Sequence, residues 1–389
     1  MDFREGPEDA AYRTEVRAWL EQAVAGLPGP EPPSLEERLP YWQAWQREVH
    51  AAGYAGLSWP RRYGGAEASL VQQAIFLEEY DRAGAPDRLN TLGEGLAGPT
   101  IVDFGTDEQK ERFLAPILRG EEVWCQLFSE PAAGSDLAAI EARAERDGGG
   151  WRVSGQKVWT SRAQVSHFGM LLARTGGARH GGITWMILPM DQDGVTVRPL
   201  RHMLGEADFN EVFLDGAYVP DELVVGPVDG GWKIAMATLG YERVVLATGR
   251  VNMQGLFGEL VQAVREGERH GRPLGEDLQV RRTIADLYAR TRVYRLNGLR
   301  ALSGMAGGAP GPASSLGKLL SGPLLEDMAD FAVAQHGLAG QLDPKDATSE
   351  DAARWLRLAY QARGTSIAGG TTFIQRNIVA ERVLGLPRA

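Results

Sequence analysis

The hydrophobic period of this 389-residue chain changes twice, and that change limits its fold more than any single motif does. From Asp9 to about Leu118 apolar residues recur at three and four spacing, which predicts helices over Glu36 to Ala52, Leu70 to Arg82 and Asp107 to Leu118. Ser34, followed by Glu36 and Glu37, has the composition of an N-cap with an acidic first turn. From about Trp124 the texture is that of strands. Trp151 to Thr160, Ile183 to Pro189, Val195 to Leu200 and Asn210 to Pro220 are short, rich in Val, Ile, Thr and aromatics, and separated by turns such as Asp147-Gly148-Gly149-Gly150 and Asp193-Gly194. After Gly230-Gly231 long helices return, with Val280, Ile284, Leu287 and Tyr288 at i, i+4, i+7 and i+8. Helix and strand are segregated rather than alternated, which argues against a doubly wound parallel sheet and predicts an α+β chain. The expected order is an N-terminal α-helical domain over 1–122, a middle β-barrel or sandwich domain over 123–228 and a C-terminal helical bundle over 229–389. Ser303 to Ser315 and Gln341 to Glu350 read as mobile polar loops.

Several chemistries are excluded early. With one cysteine, Cys125, the chain forms no internal disulfide and supplies neither a four-cysteine zinc site nor an iron–sulfur cluster. The six histidines, His50, His167, His180, His202, His270 and His336, never approach metal-ligand spacing, so no metal is expected. A net charge of −10 argues against a surface that coats nucleic acid. No apolar run approaches the ~18 residues of a membrane span, and the N-terminus alternates charges where a secretory leader would be apolar. A cytoplasmic protein is therefore expected. Gly311 to Lys318 imitates a phosphate loop but has Leu319 where a metal-holding Ser or Thr belongs, so it reads as a helix start capped by Ser314 or Ser315. No G-x-S-x-G nucleophile elbow is present. The 49 glycines show no collagen period and must act by position.

Three segments carry chemistry. Trp124 to Asp136 reads as a strand ending in a hydroxyl, Ser129, followed by small residues that let backbone N–H groups approach a flat or anionic ligand; a plain tight turn is the alternative. Gly155 to Ser161 ends in Trp159, Thr160 and Ser161, an aromatic plane beside donors, which is what an isoalloxazine ring needs. Taken alone, Trp159 equally suits an ordinary β core. After Gly231, Glu242 falls in the apolar stripe of Ala235, Leu239 and Leu246. A carboxylate among apolar groups has a raised pKa and suits a general base, the alternative being a Glu paired with an arginine of a neighbouring helix. Arg243 projects about 100° further around that helix.

The order of the blocks, with SEPAAGSD from Ser129, GQKVW from Gly155, GYER from Gly240, HGRPL from His270 and GGTTFIQRNIVAERVLGLP from Gly369, resembles the acyl-CoA dehydrogenase family over essentially the full length. The resemblance implies a C-terminal four-helix bundle, FAD between barrel and bundle, and a dimer of dimers. It implies that Gln126 to Ser135, including Phe128 and Gly134, line the flavin, with Ser129 near its pyrimidine edge. Trp159 would pack on the ring, with Thr160 beside it and Ser161 facing N5. Ser135 and Arg243 would lie near the CoA thioester arm, the Gly369 N–H would polarise the thioester carbonyl, and Gly370, Thr371 and Thr372 would touch FAD phosphates or adenosine. Many relatives carry the catalytic glutamate where this chain has Gly369, so the base is expected on the earlier helix, at Glu242, as in the isovaleryl and long-chain enzymes. The implied reaction is α,β-dehydrogenation of an acyl-CoA. Glu242 takes the α proton, flavin N5 accepts the β hydride, and electrons pass to an electron-transfer flavoprotein. Residues that relatives donate to a partner's FAD are replaced by Gly267, His270 and Ala334. This points to an α2β2 complex with a second acyl-CoA dehydrogenase-like subunit, the alternative being a homotetramer whose pyrophosphate is held by other groups such as backbone N–H donors. Gly271 to Leu274 followed by Val280-Arg281-Arg282 resembles bacterial members acting on bulky or steroid-derived acyl chains, and the length of the acyl chain is not readable from the sequence. The rival functions are a flavin oxidase or monooxygenase on this fold, and a structural subunit that shares FAD without turning over.

Overall fold

The computed structural model describes residues 5–32, 34–247, 253–305, 315–343 and 350–387, with the side chains of 242–247 and 302–305 left outside. Residues 306–314 and 344–349 of the two expected loops fall outside it as well. Helices α1 (Pro7–Ala25), α2 (Leu35–Ala51), α3 (Leu70–Arg82), α4 (Gly98–Phe104) and α5 (Asp107–Arg119) come first. Strands β1 (Trp124–Leu127), β2 (Arg143–Asp147), β3 (Gly150–Ser161), β4 (Phe168–Arg174), β5 (Ile183–Pro189), β6 (Val195–Leu200), β7 (Phe209–Pro220) and β8 (Val224–Val225) follow. Then come α6 (Gly231–Ala247), α7 (Met253–Glu266), a hairpin of β9 (Glu268–Arg269) and β10 (Arg272–Pro273), and α8 (Leu278–Met305), α9 (Ser315–Gln335), α10 (Glu350–Thr365) and α11 (Thr372–Ile378). The helical, sheet, helical order expected from the two changes of period is the order observed. No helix among the described residues is long and apolar enough to cross a membrane.

Element ends follow local chemistry. The Ser34 hydroxyl accepts the Glu37 N–H at 3.3 Å and caps α2. Thr106 and Gln109 cap α5 reciprocally, each side chain accepting the other's backbone N–H, and Gly120 at φ +68° ends that helix. α9 begins at Ser315, whose buried hydroxyl has no hydrogen-bond partner among the described residues and so does not cap the helix, while Ser314 lies outside the described residues.

The chain divides into two compact units, each drawn from separated stretches. One comprises Ala23–Ser69 and Pro86–Glu242. Its sheet runs β6-β7-β3-β2-β4-β5-β8, with β1 added in parallel to β4. Alternate residues of six strands, among them Leu127, Val153, Leu171, Met186, Val212 and Val219, share one buried cluster, so the sheet rolls around a single interior. β3 and β7 lose register twice. Between Val153 and Gly155 the extra residue lies on β7, and between Lys157 and Thr160 it lies on β3. Gly155, at φ +150°, passes so close to Ala142 that a Cβ would sit 2.7 Å from that residue's Cα, so its glycine serves packing within the sheet.

The other unit comprises Met1–Gln22, Leu70–Ala85 and Arg243–Ala389. Met253, Leu260, Leu287, Leu325, Met328 and Trp355 form its main core. α3 supplies Glu79, 2% exposed, whose carboxylate accepts from Arg13 and Arg17 of α1 at 2.8 Å and from Arg82 at 2.7 Å. These guanidiniums, Arg17 foremost, hold Glu79 at about 2, below the usual carboxylate range. Two residues on, burial pushes the Asp81 carboxyl up to about 7.

Candidate active site

The two motifs of the sheet unit meet at one place. The Val158 N–H of β3 donates to the Ser129 carbonyl just beyond β1, at 3.0 Å. Glu130 and Ala133 close the turn between them with reciprocal backbone bonds of 3.0 Å. Beneath this turn lies a buried ion pair that the residue pattern does not announce: Lys157 (0% exposed) donates to Glu130 (6% exposed) at 2.7 Å. The Lys157 ammonium also donates to the Phe128 and Leu172 carbonyls, at 3.3 and 2.7 Å. The Glu130 carboxylate further accepts the N–H groups of Glu141 and Ala142, at 2.6 and 3.0 Å. Burial draws the Lys157 ammonium down from its ordinary range while the adjacent carboxylate draws it up. Because every donor and acceptor is engaged, the pair ties the Ser129 turn, the stretch before β2, β3 and β4 to one point.

The β3 bulge decides the fate of Trp159. The indole takes φ +61° and is 62% exposed, touching Phe209 edge-on with ring centres 6.0 Å apart. It is therefore not a core residue, and its plane is open to a ligand. Thr160 is buried, and its hydroxyl has no hydrogen-bond partner among the described residues. Ser161 is half-buried opposite Phe209. Arg162, at φ +59°, anchors the chain beyond it, donating to the Arg88 and Leu89 carbonyls at 2.8 Å and lying over the Trp42 ring. Along the facing segment Gln126 and Ser129 are half-buried, while Gly134 and Ser135 are exposed. The Phe128 side chain packs inside the unit, 4% exposed.

Gly369, Gly370, Thr371 and Thr372 belong to the helical unit. Gly369 and Gly370 take φ +66° and +93°, and the buried Gln375 donates to the Gly369 carbonyl at 3.0 Å. The Thr371 hydroxyl accepts the Ile374 N–H at 3.3 Å and so caps α11. On α6, Ala235 is buried and Leu239 half-buried, as their stripe requires; the side chains of Glu242, Arg243 and Leu246 lie outside the described residues. Two pairs bind α6 to α4 within the sheet unit: Thr100 and Thr238 share a hydroxyl contact of 2.8 Å, and Tyr241 donates to Asp103. The signal for these pairs is i, i+3 spacing on both helices, legible only once the helices are known to be neighbours.

Among the described residues one group, His202, Glu206 and Asp208, lies within metal-ligand distance. The His202 Nδ1 accepts the Leu204 N–H at 3.3 Å, and its Nε2 lies 3.4 Å from Asp208.

Comparison with known proteins agrees with this architecture. The chain matches the N-terminal domain model of acyl-CoA dehydrogenases over 6–121, the middle domain model over 125–217 and the C-terminal domain model over 229–384. It belongs to the acyl-CoA dehydrogenase family and is an oxidoreductase of that class. It is 40% identical over 389 residues to the acyl-CoA dehydrogenase IpdE1 of Mycobacterium tuberculosis, the match covering 97% of each chain. It resembles a chain of the ChsE4–ChsE5 complex of the same organism, with a TM-score of 0.86 and 29% identity over all of both chains. A structure described as the Tcur3481–Tcur3483 steroid acyl-CoA dehydrogenase has a TM-score of 0.85 and 28% identity, again over all of both chains.

Proposed function

We propose that the chain catalyses FAD-dependent α,β-dehydrogenation of an acyl-CoA thioester carried on a bulky, steroid-derived acyl group. The observation that carries this is the open Trp159 plane, raised by a bulge next to a turn that a buried ion pair holds in place. These residues fit a flavin: an exposed aromatic face for the ring, an unpartnered buried hydroxyl at Thr160 and a half-buried hydroxyl at Ser161 beside it. FAD, when bound, supplies the two-electron acceptor of the reaction. Gln126, Ser129, Gly134 and Ser135 are its proposed ring-side lining, with the buried Phe128 side chain behind them as support, and Gly370, Thr371 and Thr372 its phosphate or adenosine contacts.

Glu242 is the proposed base. It takes the proton from the carbon next to the thioester carbonyl, the role that Gly369 leaves open by standing where many relatives have their glutamate. The Gly369 N–H donates to that carbonyl and stabilises the charge that develops there. Ser135 and Arg243 hold the CoA arm and orient the reacting carbons. Support for the acyl class comes from the likeness to the Tcur3481–Tcur3483 steroid enzyme. An electron-transfer flavoprotein is the proposed electron recipient, in a soluble setting consistent with the cytoplasm.

An α2β2 assembly is also proposed. Gly267 stands where an arginine would be given to a partner, and a Cβ there would meet the Leu274 side chain at 2.6 Å and the Ala263 carbonyl at 2.7 Å, so the end of α7 and Leu274 close around the smaller residue. The similar structures include a two-component complex. Isolation of the chain alone as a homotetramer with one tightly bound FAD per subunit refutes this part.

The base is tested by Glu242→Gln. The variant is expected to keep its FAD and to lose anaerobic bleaching by an acyl-CoA ester; undiminished bleaching removes Glu242 from the role.

A further inference from the structure

Among the described residues, the helix that carries Glu242 is held to α4 by two side-chain contacts, one from Thr238 about a turn before Glu242 and one from Tyr241, the residue beside it. Thr100 and Thr238 are fully buried, with hydroxyls 2.8 Å apart. Tyr241 donates to the Asp103 carboxylate. Residues 100 and 103 on one helix thus meet 238 and 241 on the other. The two contacts are i, i+3 on both sides, about 4.5 Å apart along each axis. A single contact lets a helix pivot about it, whereas two fix its height and its rotation together.

The first contact is sealed from solvent on both sides, and the second joins a half-buried phenol to an exposed carboxylate. Each threonine hydroxyl also lies near the carbonyl four residues back along its chain, Leu96 O at 2.8 Å and Ile234 O at 3.0 Å. Two protons therefore serve three contacts between fully buried groups, and one hydroxyl is the donor across the helix pair. At the second contact, burial first, then the bond to Asp103 and its charge, push the Tyr241 hydroxyl above its ordinary range. The phenol is therefore the donor of this bond and the exposed Asp103 carboxylate its charged acceptor. Glu242 is the next residue, about 100° around and 1.5 Å further along.

We propose that Thr100 and Asp103 are positioning residues for the reaction: through Thr238 and Tyr241 they set the height and rotation at which α6 presents Glu242. This rests on Glu242 being the base. A displacement of a reacting group by ~1 Å costs on the order of a hundredfold in rate, so a device holding that helix is worth one to two decades.

The test uses the FAD-loaded full chain, with its partner subunit if one co-purifies, mixed anaerobically with a steroid bearing a saturated propanoyl-CoA side chain. Tyr241→Phe and Asp103→Asn are each expected to slow flavin reduction by about 10- to 100-fold. FAD stoichiometry and the apparent substrate Kd should stay within about twofold, and the double variant should be no slower than the slower single, because both delete one bond. Amide hydrogen exchange across α6 should quicken in all three. Thr238→Val removes the other contact without touching Tyr241 and carries the same expectation. Reduction rates within about twofold of the unaltered enzyme overturn the proposal, as does a loss that only follows loss of FAD or of substrate affinity. Glu242→Gln separates the two ideas. If it still bleaches, the base is wrong; if it fails to bleach while the Tyr241 and Asp103 variants reduce normally, only the positioning role falls.

Discussion

Lys157→Met is the perturbation that most directly probes what holds the Ser129 turn. It leaves the Glu130 carboxylate at 6% exposure without its 2.7 Å partner and strips the Phe128 and Leu172 carbonyls of a donor. Removing one member of a buried pair typically costs about 3–5 kcal/mol. The two N–H bonds that Glu130 retains from Glu141 and Ala142 place the expected loss near the lower end, about 3 kcal/mol. Lys157→Met with Glu130→Gln removes both charges, but Glu141 and Ala142 donate to different Glu130 oxygens and the amide keeps only one of them as an acceptor. The double variant should therefore recover only part of the loss, about 1 kcal/mol. Equilibrium urea unfolding of the purified protein, followed by tryptophan fluorescence and by release of bound flavin, measures both. FAD affinity should fall in the single variant further than in the double. A single variant within about 1 kcal/mol of the unaltered protein, or a double no better than the single, refutes the ion pair as the element that fixes this turn.

Two further outcomes follow from particular residues. Trp159→Gly relieves a bulky residue at φ +61°, a conformation costing of order 1 kcal/mol, and gives up little buried area, so the flavin-free protein should be no less stable while equilibrium dialysis shows weakened FAD binding. Asp81 is raised to about 7 by burial, so between about pH 4 and 7 the folded state holds a proton that the unfolded chain has released, and stability falls as pH rises through that window. Asp81→Asn should accordingly raise the melting temperature above about pH 7.5 and change it less near pH 4; a uniform change at both refutes burial as the cause.

Much of the fold is legible in the sequence because it is local. The strands β5 and β6 and the helix α3 coincide with their hydrophobic runs, and α2 begins at the cap that Ser34 announces. β4, Phe168–Arg174, is not marked out, since a fully buried strand has no alternation to betray it. Within the site, the residue types of Trp159, Thr160 and Ser161 are readable, but exposure of the indole depends on one inserted residue in β3, and a bulge leaves no periodic trace. Glu130 and Lys157 sit inside the two motifs without a role that sequence alone reveals. A lone charge in a sequence looks solvated until its partner, 27 residues away, is brought beneath the same turn. Gly155 opens a segment whose residue types suit a cofactor, yet its own glycine proves to accommodate Ala142.

The discontinuous make-up of the helical unit bears on how the protein is made. α1 and α3 leave the ribosome early and can hold each other through Glu79 and its three arginines. The remainder of their unit begins only at Arg243, roughly 160 residues after Ala85. At about 5–20 residues per second that is a delay on the order of ten to thirty seconds. Throughout that interval the sheet unit has its whole sequence emerging and can close, while the apolar faces of α1 and α3 wait without a core. The Glu79 cluster and the stacking of Trp19 on Phe76 are the contacts these two helices can make with each other in that interval, and nascent chains stalled before Arg243 are expected to be more protease-sensitive than the full chain.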